Sequence, residues 1–60
     1  MIRILIVDDH VMFREGIKQI LAKHSDMRVL DEAGSGQEAM GKILQHKLDV
    51  VLLDISISKD

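Results

Sequence analysis

The sequence predicts an α/β fold on a small parallel sheet, with elements in the order strand, helix, strand, helix, strand. Three observations carry this. The runs Ile2-Arg3-Ile4-Leu5-Ile6-Val7 and Val50-Val51-Leu52-Leu53 place apolar residues at consecutive positions, as strands covered on both faces do. Two segments between them repeat apolar residues at spacings of three and four, the period of an amphipathic helix. The elements alternate, and parallel strands need a helical crossover to connect them.

Each element has its own signature. Ile2 to Val7 is a β-branched run stopped by Asp8 and Asp9, and it reads as a central strand. From about His10 to Lys23 a helix is expected, with Phe13, Ile17, Ile20 and Leu21 facing inward. Arg14, Glu15, Lys18 and Lys23 then form its solvated face. Met27 to Ala33 mixes Val29 and Leu30 with Arg28, Asp31 and Glu32, which suits an edge strand whose acids face solvent. Gly34-Ser35-Gly36 makes a turn, and Ser35 with Glu38 three residues on is a capping-box pattern. The helix it starts should run to about Gln45, burying Ala39, Met40, Ile43 and Leu44. Gly41 inside it costs about 1 kcal/mol relative to alanine. Val50 to Leu53 is the last strand and ends at Asp54. Right-handed crossovers with the first strand in the middle give the order 2-1-3, with the helices on opposite faces.

Composition narrows the function classes. The chain has 60 residues, 47% hydrophobic and 30% charged, a globular balance within the size of one small domain. Phe13 is its one aromatic residue, so burial rests on many modest aliphatic contacts. With no cysteine there is no disulfide or thiolate zinc site, and no apolar run has bilayer length, so a cytoplasmic protein without membrane contact is expected. Met1 to Val7 is too short for a secretory signal and meets two acids at once. A net charge of −2 argues against direct nucleic-acid contact by this segment. Val50 to Leu53 has the pattern of a strand flanked on both sides, with no sixth element after it to provide the second neighbour. The sixty residues therefore read as part of a domain.

The acids carry the chemistry. In an open parallel sheet, ligands bind beyond the carboxyl ends of strands whose connections diverge, here strands one and three. Asp8 and Asp9 end the first of these and Asp54 ends the third, on strands about 5 Å apart. Three converging carboxylates repel one another unless a cation sits among them. Mg²⁺ is the natural choice, because it needs few protein carboxylates and keeps water and phosphate oxygens; Ca²⁺ and Mn²⁺ suit the same donors. Such an ion would screen an anionic phosphoryl group approaching a carboxylate nucleophile. Asp8 and Asp9 alone would be explained as helix-dipole partners, but Asp54 joins them across the sheet. His10, His24 and His46 lack metal-ligand spacing and read as surface residues, with His10 bordering the site. Gly34-Ser35-Gly36 lacks the dinucleotide-binding spacing.

Ile4-Leu5-Ile6-Val7-Asp8-Asp9-His10, then Arg14-Glu15-Gly16, and Val50-Val51-Leu52-Leu53-Asp54 resemble the first half of a receiver domain of two-component response regulators. The resemblance is to the NarL/FixJ group, whose receivers precede a LuxR-type DNA-binding domain. It implies that residues 1–60 are the N-terminal half of a flavodoxin-like (CheY-like) doubly wound sheet. It implies Asp54 as the phosphoacceptor, Asp9 as a direct Mg²⁺ ligand, Asp8 as a ligand through water, and the Ser56 backbone carbonyl as a third contact. A sensor histidine kinase is the implied partner, transcription the implied output, and a switch, not an enzyme, the implied role. The chain departs from the usual Asp-x-x-Met-Pro, having Asp54-Ile55-Ser56-Ile57-Ser58, so the loop presenting Ser56 is less constrained. The family's later switch residues and lysine are not among the sixty, so phosphate acceptance slower than that of an intact receiver is expected. Two other readings compete: a half-domain forming a homo-oligomer through the third-strand edge, and, more remotely, a phosphatase with an aspartyl-phosphate intermediate.

Overall fold

The structure is a computed structural model that describes residues 1–54. Strand β1 (Ile2–Val7) leads into helix α1 (Val11–Leu21), strand β2 (Met27–Ala33), helix α2 (Gly36–Gln45) and strand β3 (Val50–Leu53). The three strands form one parallel sheet in the order β2-β1-β3, as the sequence predicts. β1 lies between its neighbours, and its Leu5, Ile6 and Val7 are at most 1% exposed.

The sheet has two distinct faces. Leu5 and Val7 pack with Ala33 and with Ala39 of α2, while Ile6 and Asp8 line a cleft with Phe13 and Ile17 of α1. Asp31 and Glu32 are adjacent on β2, so their side chains leave opposite faces. Asp31 meets Lys42 and His46 at the α2 side, and Glu32 meets Arg14 and Lys18 of α1. The two helices therefore cover opposite faces.

A register shift sets this arrangement. Ile4 pairs with Val29 but Leu5 pairs with Asp31, so Leu30 is an extra residue in β2. The bulge exchanges the faces of everything after it, which puts Asp31 beside α2 and Glu32 beside α1. The expectation that both acids face solvent is thus corrected: both are half-buried and ion-paired. Arg14 and Lys18 are likewise no free solvated face, because Glu32 draws both inward.

At the amino end of the strands, Arg3 and Asp49 tie β1 to β3. Asp49 accepts from the Arg3 backbone N–H at 2.8 Å and from its guanidinium at 3.0 Å, while the Asp49 N–H donates to the Arg3 carbonyl at 2.9 Å. Ser35 caps α2 as expected, its hydroxyl accepting from the Glu38 N–H at 3.1 Å. Glu38 reaches back to the Gly34 N–H, one residue before the N-cap.

The apolar stripes are covered less than their periodicity suggests. On α1, Ile17 and Leu21 are half-buried, whereas Phe13 and Ile20 are 57% and 60% exposed. On α2, Ala39 is buried and Leu44 is 85% exposed. Every residue of β3 is exposed. The cause is common to all: β3 pairs only with β1 among the described residues, and helix packing is concentrated over β2 and β1.

Candidate functional site at the carboxyl rim of β1 and β3

The site is built where two strands end together. Val7 pairs with Leu53 in the ladder, so Asp8 and Asp54, the next residues, stand side by side. Backbone bonds fix both: the Asp54 N–H donates to the Val7 carbonyl and the Asp8 N–H to the Ala33 carbonyl, each at 3.0 Å. Asp8 is only 2% exposed, whereas Asp9 is exposed and Asp54 half-buried. A buried carboxylate beside two further acids is costly unless hydrogen bonds or cations meet it.

His10 meets that carboxylate. The Asp8 carboxylate accepts from the His10 backbone N–H at 2.8 Å, a tight local turn that leads the chain into α1. His10 is the N-cap of that helix but caps nothing with its side chain. Its ring Nδ1 instead stands 3.1 Å from Asp8 Oδ1 and 2.9 Å from Asp9 Oδ1. The Asp8 contact and the charge of Asp9 raise the His10 pKa above its ordinary value. Arg14, largely covered, donates from Nη1 to the Asp8 carbonyl and from Nε to Glu32 Oε1 at 2.8 Å. It braces the rim from α1. Lys18 also holds Glu32, and the two cations, Lys18 first, keep the Glu32 carboxyl below its usual range.

The three acids expected from sequence do converge. Asp8, Asp9, His10 and Asp54 each present a ligand atom, and these atoms all lie within 4.8 Å of one another. Carboxylate oxygens grouped so closely fit a hard divalent cation. Asp8, His10, Phe13 and Asp54 line the mouth of an open cleft beside them. Ser56, the fourth expected contact, lies outside the described residues. His10 is exposed, as expected of a surface residue, yet its ring belongs to the cluster. Sequence spacing could not reveal this, since adjacency to Asp9 says nothing about where the ring turns. No described helix is long and apolar enough to cross a membrane.

Comparison with known proteins agrees with this geometry. The family model described as the response regulator receiver domain matches residues 4–60. The oxygen regulatory protein NreC of Staphylococcus carnosus (strain TM300) is 44% identical over 55 residues, 92% of this chain and 25% of that protein. The transcriptional regulatory protein DegU of Brevibacillus brevis is 40% identical over 58 residues, 97% of this chain and 25% of that protein. The response regulator GacA of Pseudomonas viridiflava is 44% identical over 57 residues, 95% of this chain and 27% of that protein. The chain thus spans about a quarter of the length of the curated relatives it matches. Among solved structures, a chain in the crystal structure of the P1 domain of CheA3 in complex with CheY6 from R. sphaeroides matches with a TM-score of 0.90 and 35% identity, over 93% of this chain and 44% of that one. The receiver-domain match over residues 4–60, together with these relatives, places the chain in the response regulator receiver domain family, in the NarL/FixJ group.

Proposed function

We propose that this chain is the phosphoacceptor segment of a response regulator, in which Asp54 receives a phosphoryl group in a Mg²⁺-dependent transfer from a sensor histidine kinase. The observation that carries the reading is the meeting of Asp8, Asp9 and Asp54 within one ion's reach at the ends of paired strands. Asp9 would bind the ion directly and Asp8 through water, with the Ser56 carbonyl as a further contact. The bound ion supplies positive charge that offsets repulsion between Asp54 and the incoming phosphoryl group.

In the transfer, an Asp54 oxygen forms a bond to phosphorus as the bond from phosphorus to the donor's imidazole nitrogen breaks. The electron pair stays on that nitrogen, which takes up a proton. The ladder bond at the Asp54 N–H holds the nucleophile at the cleft mouth, and Asp8, buried and hydrogen-bonded to the His10 N–H, would hold the ion's water beside it. The kinase partner is supported by a structural neighbour from a complex of CheA3 with CheY6. The output, transcription through a DNA-binding effector outside these residues, is supported by relatives such as the transcriptional regulatory protein DegU. The role is a cytoplasmic switch without turnover.

We further infer that residues 1–60 form the N-terminal half of the receiver domain. The exposed faces of β3, Phe13 and Leu44 are the surfaces that further strands and helices would cover, and the chain matches 44% of its structural neighbour. The outer edge of β3, unpaired among the described residues, is the observation behind a second reading, self-association. Sedimentation across concentration separates them: a folded monomer at every concentration excludes edge pairing.

Incubation with acetyl phosphate and Mg²⁺, followed by intact mass, tests the main reading. One phosphoryl group should be added, sensitive to hydroxylamine, and lost in Asp54→Asn. Equal incorporation in Asp54→Asn would refute it.

A further inference from the structure

We propose that His10 contributes its Nδ1 to the cation site of Asp8, Asp9 and Asp54, making the site a mixed oxygen and nitrogen set that favours imidazole-binding divalent ions over Mg²⁺ more than carboxylates alone would. This rests on the cation reading given above. The geometry points to it directly. Around an octahedral ion with ligands at about 2.1 Å, neighbouring ligand atoms stand about 3.0 Å apart and opposite ones about 4.2 Å. Nδ1 lies 2.9 Å from Asp9 Oδ1 and 3.1 Å from Asp8 Oδ1, and all four residues offer ligand atoms within 4.8 Å of each other. Nδ1 thus stands at neighbouring-ligand spacing from Asp9, the directly bound acid, and at hydrogen-bond distance from Asp8, which reaches the ion through water.

The backbone brings it there. The His10 N–H is held by Asp8, and the extended N-cap conformation sets the ring at the cleft mouth without spending it on the helix. With 69% of the side chain exposed, packing does not lock the ring, so its place is set by what it binds. A proton on Nδ1 lets the ring donate to both carboxylates; a metal ion replaces that proton and uses the same nitrogen. Imidazole suits Co²⁺, Ni²⁺ and Zn²⁺, whereas Mg²⁺ prefers oxygen. The consequence is selectivity: His10 raises affinity for the former and adds nothing for Mg²⁺.

The test compares wild type with His10→Gln and His10→Ala, titrated with Ni²⁺ and with Mg²⁺ by calorimetry. Ni²⁺ affinity should fall by about tenfold or more in both variants, with Mg²⁺ affinity unchanged or improved. In a second readout, Mn²⁺ bound to wild type should show nitrogen hyperfine coupling in pulsed electron paramagnetic resonance, absent in His10→Gln. Mg²⁺ binding intact with no nitrogen coupling, or equal losses for both ions, overturns the role of His10 and leaves the acid site standing. Failure of wild type to bind any of these ions overturns both.

Discussion

Replacing Arg14 by alanine should destabilise the chain far more than a substitution on a solvated helix face. Arg14 is 14% exposed in its side chain and joins three elements: it sits on α1, donates to Glu32 on β2, and donates to the Asp8 carbonyl at the end of β1. Hydrogen bonds to charged groups contribute about 1.5–3 kcal/mol each when buried. Glu32 keeps Lys18 at 2.6 Å, so the loss there is partly compensated, while the Asp8 carbonyl loses its guanidinium donor. The expected net cost is about 2 kcal/mol. For a domain this small the urea m-value is about 1 kcal/mol/M, so the midpoint should fall by about 2 M. The chain has no tryptophan or tyrosine, so unfolding is followed by far-ultraviolet circular dichroism. Arg14→Lys should recover about half, because an ammonium on a shorter reach cannot fork to both partners. A cost under about 0.5 kcal/mol for Arg14→Ala, the level of an ordinary surface change, would refute the bracing role.

Three further outcomes follow from the packing and the ion pairs. Leu5→Ala, at a fully buried site in the central strand, should cost about 2–5 kcal/mol and leave little folded chain by circular dichroism. Ser35→Ala removes the α2 cap and should cost about 1 kcal/mol in the same assay. Arg3 holds the Asp49 carboxyl down at about 2 against an ordinary 3.8, so its stabilisation is present above pH 3.8 and is lost as pH falls toward 2. Asp31 and Glu32 are also held below their ordinary values and add to the same acid loss. Asp49→Asn should flatten the low-pH end of the stability profile, and an unchanged acid arm would contradict this.

The order of elements, the strand order and the three-acid site were legible because they depend on period and position. A change from consecutive apolar runs to a 3.6-residue period separates the central strands from the helices, and a strand's last residue is fixed to its rim whatever its side chain does. What escaped depends on pairing and reach. The bulge at Leu30 is created by how β2 meets β1, and it alone decides which helix Asp31 and Glu32 face. Arg14 and Lys18 lie on the polar side of α1, yet their long stems carry the charge back to Glu32. Phe13, Ile20 and Leu44 show the converse: periodicity identifies an apolar stripe, but burial requires a neighbour to cover it. The ring of His10 was out of reach for the same reason as the bulge, since its place is set by contacts and not by spacing.

Sharing of one cation by both strand ends is tested most directly by titrating Mg²⁺ into the isotopically labelled chain and following backbone amides by nuclear magnetic resonance. The amides of Asp8, Asp9 and Asp54 should shift together along a single binding curve. Shifts confined to Asp8 and Asp9, with Asp54 unmoved at saturation, would contradict the shared site and the phosphoacceptor role built on it.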